Sequence, residues 1–535
     1  MKMIFMNHRS WAPIFLFPLM LAACHGNSKK DNQKAVVPTG TKDSLTVEKA
    51  VDLPFLSTET YVSGIISRRL AIENALPGKT PESAVLLYRS FALYVDTALL
   101  GITANESKWL DEYVNYGYSK EKQQVMPPAN VAKRIELLAT AGIEPWSIGE
   151  GYTELRTQPG FYTHLFKNSL PADYKAFLQL QADEDTVLYN ADAGLMISFN
   201  EVGKRTLNWE KFLDTYPNSI FAPTAKELYE RYCRDYLFGE DNTMSFDDRM
   251  DLNSLVPENK KEYLSFIQLH GNTKTAALVK QFLDLLNTEK TYDELQVHMQ
   301  AAIAGVYSGL VSLLPPQPEF RAEQVEALTK AVYDTVPAEV EISQGNNESM
   351  ERALDSLLYF QQDNNLYCVA IFTNRGKSGG APVSGWVDVW AFKKTGDHWQ
   401  TVDHLLNAGG GGMYGNSGYF DKLIRMGSRT TGIVISGGIT HMGSNVSWDD
   451  LIALTNDKLT PVMNIVTNNM YEGGNGVQKC NLNKWMLQHN GEQENDDLVI
   501  VPSSCIGSNV PLDRVTVPYK NGRYNVPAAF QDKGI

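Results

Sequence analysis

The chain has 535 residues, 43% of them hydrophobic and 21% charged, which is the composition of a soluble globular protein with room for more than one core. Its 48 Lys and Arg stand against 62 Asp and Glu, for a net charge of −14. That balance excludes a general nucleic-acid binder, which needs the opposite sign to meet phosphate.

In residues 1–23, Lys2 and Arg9 flank the start of an apolar run over 11–21, and the run ends in Leu21-Ala22-Ala23-Cys24. The run is too short to cross a hydrocarbon layer of ~30 Å as a helix, so it reads as a processed leader and not as a membrane span. The segment resembles a bacterial lipoprotein signal. The resemblance implies that residues 1–23 are removed as a signal peptide. It also implies that Cys24 carries a thioether-linked lipid with further fatty chains such as palmitate, which anchor the protein at about 0.8 kcal/mol per buried CH₂. An ordinary cleaved signal is the rival reading. Cys24 is followed by His25 and not Asp. By resemblance to the sorting rule of enteric bacteria, this points to the periplasmic face of the outer membrane.

Residues 24–54 are polar and contain no aromatic side chain. They read as a flexible tether whose coil dimension is roughly 30 Å.

From 55 to 337 the apolar residues fall at three and four spacing, for example over 84–99 and 131–138, with breaks at Pro77-Gly78, Pro127-Pro128 and Pro315-Pro316. This predicts an α-helical domain. Within it, residues 209–232 read WEKFLDTYPNSIFAPTAKELYERY. Pro217 ends a first helix, Asn218 or Ser219 caps a second, and small Ala222 and Ala225 allow close approach of the two. The segment resembles the helical hairpins of tetratricopeptide-like (TPR-like) envelope lipoproteins. A second copy follows at Phe266-Ile267, His270-Gly271-Asn272-Thr273 and Ala276, with a fainter echo at Phe177-Leu178, although the offsets depart from a strict repeat.

After Pro337 the pattern changes. One helix is expected over 350–359, and then short apolar segments bounded by Gly, Asn, Asp or Pro recur to the end of the chain. Residues 338–535 therefore predict a mainly antiparallel β domain, as a sandwich, barrel or partial propeller. Tight hairpins are expected around Gly396-Asp397 and Asn521-Gly522, the latter pair being favoured where both positions need positive φ. The whole chain thus reads as a multidomain α + β protein.

Beyond Cys24 there are four cysteines, Cys233, Cys368, Cys480 and Cys505, which allow three full pairings. In an oxidising periplasm Cys480 with Cys505 is favoured, because both lie in one strand-rich region and the loop between them is worth about 3 kcal/mol of chain entropy. Four buried thiols are the alternative. No Cys/His spacing suggests zinc, no metal or cofactor site is predicted, and Gly376-Lys377-Ser378 lacks the upstream glycine of a phosphate loop, with Ile371 in its place. Residues 409–415 could turn backbone amides toward an anion, but they read better as a long loop or bulge over a sheet edge. Ser384, Ser417 and Ser436 stand beside glycines without forming a nucleophile elbow.

The polar residues that could carry chemistry are Asp397, His398, Asp403, His404, His441, Ser444, Asp449 and Asp450. If His404, His441 and a carboxylate such as Asp449 met, they could bind a metal or activate a hydroxyl. Turn and surface positions are the plainer reading. Trp386, Trp390, Trp399, Trp448 and Trp485 could stack on sugars, or fill a core. The expected function is that of a non-enzymatic, lipid-tethered binding or scaffold module for an envelope protein or cell-wall component. The alternatives are an envelope hydrolase built on His404 and His441, and an inhibitor or immunity lipoprotein with an acidic face.

Overall fold

Ser57, Thr80, Ser198, Thr273 and Thr291 each stand one residue before an apolar-periodic segment. In the computed structural model each side chain accepts a backbone N–H of the helix it opens. The structure describes residues 56–535 except 120–123, 290, 308–310, 312, 315, 337, 344–345, 378–382, 428, 442, 474–475, 490–493, 504–509, 532 and 534–535. The leader, Cys24, the tether up to residue 54, and Cys505 lie outside the described residues.

The fold is mixed α + β. Eleven α-helices are found among the described residues: α1 (Thr58–Ala75), α2 (Pro81–Glu112), α3 (Ala129–Thr140), α4 (Phe161–Phe166), α5 (Ala172–Glu184), α6 (Phe199–Thr215), α7 (Ala222–Phe238), α8 (Pro257–His270), α9 (Lys274–Leu285), α10 (Tyr292–Gly305) and α11 (Ala322–Tyr333). A hairpin of Ile143–Gly149 with Tyr152–Thr157 interrupts the helices, a feature the helical periodicity did not reveal. A window within α2 is apolar and long enough to cross a membrane. Its Tyr88, Phe91, Val95, Ala98 and Ile102 are nonetheless buried in the helical core.

The helices are joined by polar staples between aromatic layers. Phe177 of α5 stacks on Phe221 at 4.0 Å between ring centroids, and Glu184 accepts from Trp209 of α6 and Tyr232 of α7, both at 2.7 Å. Glu210 of α6 accepts the Lys274 and Thr275 N–H groups, each at 2.8 Å, so one helical hairpin caps the free amides of the next. Pro217 does follow the end of α6. The expected cap on α7 is different: Phe221 is its N-cap and has no side-chain bond. Ser219 instead accepts from Phe221 N–H at 3.2 Å and donates to Asp173 at 2.7 Å. The chain enters α7 two residues later than the Asn-Ser pair suggested, because packing of the Phe221 ring sets the first turn.

The strands form two antiparallel meanders. The first sheet has the order β1 (Glu339–Ser343), β2 (Asn346–Gln362), β3 (Asn365–Gly376), β4 (Trp386–Thr395), β5 (His398–Gly409), with the short strand Leu313–Leu314 also pairing on β2. The second runs β6 (Tyr419–Arg425), β7 (Thr431–His441), β8 (Ser444–Thr455), β9 (Lys458–Gly473), β10 (Gly476–Gln488), β11 (Asp497–Ser503), β12 (Val515–Val517). Alternate residues of each sheet meet in a shared apolar cluster: Val369, Ile371, Val387 and Val389 from the first, Ile433, Ile435, Ile452 and Leu454 from the second. Full burial of each such side chain is worth about 1.5–3 kcal/mol. The opposite face of the first sheet buries Tyr359, Cys368, Phe372, Trp390 and Phe392 against Phe320 and Val325, the latter from α11.

The helix expected over 350–359 is a correction: this segment belongs to strand β2. A bulge between Leu354 and Ser356 inserts Asp355, so Leu354 and Leu357 come to the same face at a spacing of three, which imitates a helix. The Asn521-Gly522 turn has both φ angles positive, as the sequence requires.

Residues 410–418 carry the chain from the first sheet to the second. Gly376 and Gly385 donate to the Gly415 and Asn416 carbonyls at 3.0 and 2.9 Å, and Gly438 of β7 donates to Gly411 at 3.1 Å. A methyl group on Gly415, where φ is +76°, would lie 2.7 Å from the Gly376 Cα. Gly415→Ala is therefore expected to lower stability by about 2 kcal/mol or more in urea unfolding. Gly396→Ala, at φ +60° with open space around it, should cost only about 1 kcal/mol.

Candidate functional site

Strand β4 reads Trp386-Val387-Asp388-Val389-Trp390-Ala391-Phe392, and its alternation sends the valines inward and Asp388 outward with the tryptophans. Asp388 is fully buried there, and so its charge must be matched by donors. Four supply the match. Trp386 Nε1 and Asn407 N–H donate to Oδ1 at 2.9 and 2.8 Å; Asn374 Nδ2 donates to Oδ2 at 3.0 Å; Arg352 Nε pairs with Oδ2 at 3.4 Å. Asn407 adopts φ +55° to deliver its N–H.

Arg352 is held on three sides. Its Nε also donates to Asn374 Oδ1 at 2.8 Å, and its guanidinium carbon lies 3.7 Å from the centroid of the Tyr333 ring. The Tyr333 hydroxyl accepts from Trp390 Nε1 at 2.7 Å. Burial, reinforced by the Asp388 charge, pushes the Tyr333 phenol well above its usual range, so it is neutral at any physiological pH. No described residue bonds the two terminal nitrogens of Arg352, and its side chain keeps 14% exposure.

Of these groups Arg352, Trp386 and Asn407 line a cleft of about 460 Å³, together with Val336, Glu339 and Leu406. The volume is that of a small-ligand site. Asp388, buried behind the lining, has its oxygens occupied by donors and can neither accept a substrate proton nor attack, so it acts by holding Arg352, Trp386 and Asn407 in place. The glycine amides beside the cleft are also engaged. Gly410 donates to Asp450 at 3.1 Å, Gly411 to the Ser417 carbonyl at 2.8 Å, and Gly412 to Ser384 at 3.1 Å. An anion cradle at 409–415 is therefore not what this loop forms.

The three residues considered for chemistry are not brought together. His404 of β5 stacks on Trp390 at 4.4 Å, on the outer face of the first sheet. His441 is exposed at the end of β7, paired across a hairpin with Ser444. Asp449 of β8 lies in the second sheet, where Ser436 and Trp485 donate to it at 2.7 Å each. Burial, followed by the charge of Asp421, pushes the Asp449 carboxyl up to about 6. Asp403 accepts the Leu459 N–H at 2.9 Å and Asp450 accepts from Asn464 at 2.6 Å, while Asp397 and His398 are exposed at the β4–β5 turn. Among the described residues no group of three His, Cys, Asp or Glu could hold a metal ion.

Of the five tryptophans, Trp390, Trp399 and Trp448 fill packing layers, with Trp399 stacked on Phe320 at 4.5 Å, and Trp485 serves Asp449. Only Trp386 lines the cleft. Cys480 is disulfide-bonded, and Cys233 and Cys368 are buried free thiols. Asp388, Arg352 and Asn407 were missed by sequence reasoning. The one available signal was a lone carboxylate inside the apolar run of β4.

No protein-family model, curated protein or solved structure matches the chain.

Removing the Asp388 charge strands Arg352, so Asp388→Asn is expected to lower unfolding free energy by about 3 kcal/mol, read by urea titration. For Asp449 the folded state keeps a proton that the unfolded chain, with its usual value of 3.8, has already lost. Its stabilising contribution is present below that value and fades as pH rises through about 6. Between pH 5 and 7.5 the stability of the wild-type protein relative to Asp449→Asn should fall by about 1 kcal/mol. A pH-independent difference in denaturant midpoints would refute this assignment.

Proposed function

We propose that this protein is a lipid-anchored component of a bacterial cell envelope, tethered through Cys24 at the periplasmic face of the outer membrane, and that it acts as a binding or scaffold module. Its partner is an envelope protein or a cell-wall component. In this reading the α6–α7 and α8–α9 hairpins are TPR-like units, and the two meanders are the layers of an antiparallel sandwich.

The observation that carries the proposal is the order of features along the chain. Leu21-Ala22-Ala23-Cys24 closes a short apolar leader, polar residues follow, and a compact unit extends from Asp52 to Ile535. Lipid chains on one cysteine suffice to hold such a body at a membrane without a spanning helix. The cross-cap from Glu210 to α9 supports the stacked-hairpin reading, since it couples consecutive hairpins as a repeat array does. The cleft on the first sheet supports recognition, because its buried polar groups are mutually satisfied and its rim groups remain available.

The wild-type protein is expected to incorporate a palmitate analogue and to sediment with the outer membrane. Cys24→Ser should lose the label and move largely to the soluble fraction. Unchanged labelling and sedimentation of that variant would sink the anchoring assignment.

A further inference from the structure

We infer that the cleft formed by Arg352, Trp386, Asn407 and Glu339 is a binding site for a neutral, hydroxyl-rich oligosaccharide. The inference deepens the binding-module reading and rests on it only for its biological setting.

The argument begins with charge. Arg352 is the one cation among the lining groups named above, and the buried Asp388 paired with it cancels it; Glu339, also in the lining, adds a negative charge. An anionic ligand would meet a site that is negative on balance in a protein of net charge −14. A cationic ligand would have to approach the guanidinium. A neutral ligand escapes both penalties.

Hydrogen-bonding capacity is the second step. The terminal nitrogens of Arg352 are donors held rigidly by Asn374, Asp388 and the Tyr333 ring, so little entropy is lost when they engage a ligand. The Asn407 side-chain amide offers both a donor and an acceptor, and no described residue uses it. Glu339 is exposed and accepts from Asn347 at 3.2 Å, which leaves it further acceptor capacity. Sugar hydroxyls donate and accept at once, and planar side chains with adjacent donors and acceptors suit such pairs.

Apolar surface is the third. Trp386 has its indole N–H committed to Asp388, so the indole is fixed with its apolar ring against the cleft lining, together with Val336, Val340 and Leu406. The C–H faces of a pyranose match such a wall, whereas the hydroxyl edge matches the polar floor. A cleft of about 460 Å³ is of a size to seat one or two sugar rings.

The test is calorimetric titration of the detergent-solubilised full chain with chitotetraose, maltotetraose, tetragalacturonate and a cell-wall stem peptide. Binding of one or both neutral sugars is expected. Preference for chitotetraose indicates an N-acetylated cell-wall glycan as the source, and preference for maltotetraose an exogenous glucan. Asn407→Gly keeps the left-handed backbone and the N–H bond to Asp388, so it should weaken sugar binding about 5-fold with an unchanged unfolding midpoint. Trp386→Ala should weaken binding at least 10-fold. The proposal is overturned by no heat with either neutral sugar, by stronger binding of tetragalacturonate or the peptide, or by affinities untouched in both variants. The two readings fail separately: neutral-sugar binding by the wild type with unchanged labelling and sedimentation of Cys24→Ser upholds the cleft while the anchor fails, and absence of neutral-sugar binding by the wild type with release of Cys24→Ser from the membrane does the reverse.

Discussion

A carboxylate at zero exposure in the middle of a β-strand is the constraint around which the first sheet is built. Asp388 lies between Val387 and Val389, which belong to the apolar layer shared by the two sheets, so it cannot turn inward. On the outer face it requires donors, and leaving it unpaired would cost several kcal/mol. Those donors come from four places in the chain: β2, β3, β4 itself and the far end of β5. Arg352 is thereby pinned across Tyr333, Asn407 is forced to positive φ, and β5 departs from regular pairing between Val387 and Val389. The cleft is the geometric remainder of that arrangement.

A second, half-buried charge cluster performs a different task where the helices meet the second sheet. Lys422 of β6 lies 3.3 Å from Asp421 and 3.9 Å from Glu230 of α7. Gln300 of α10 donates to the Asp421 carbonyl at 2.8 Å, and Lys484 of β10 pairs with Glu227 of α7. Met486 packs against the helical core from the same strand as Trp485, which donates to Asp449. Charges of both signs at partly desolvated positions set the orientation of helices on sheet more narrowly than apolar contact alone, because each displacement leaves a charge unmatched. Helices and sheets therefore form one compact unit over Asp52–Ile535.

Much of this architecture was legible from local pattern. Apolar residues at three and four spacing marked the helical region, and the β segments beyond residue 365 announced themselves by apolar runs between turn residues. What was hidden had specific causes. Asp355 interrupts the period of two in β2 and makes a strand look like a helix; the shift between Phe420 and Lys422 hides β6 in the same way. The α7 cap was misplaced because an aromatic contact, Phe177 on Phe221, overrides the local preference of Ser219. At the site, the histidines looked important because imidazole chemistry is recognisable one residue at a time. Asp388 did not, because its meaning depends on Arg352, Asn374 and Asn407, which lie in other strands.

The same contrast runs through the buried carboxylates of this fold. Glu184, Glu210, Asp388 and Asp449 each accept hydrogen bonds from at least two groups within the protein. A carboxylate used this way joins distant segments, and at Asp388 both oxygens accept twice. The groups left over at the cleft are of another kind: the ends of a guanidinium that cannot lose its proton, a primary amide, and an indole whose N–H is already spent. Beside the Glu339 carboxylate on the same cleft, these three transfer no proton near neutral pH and offer fixed hydrogen bonds or apolar area. A surface assembled from such groups on a rigid sheet presents a fixed shape and hydrogen-bond pattern.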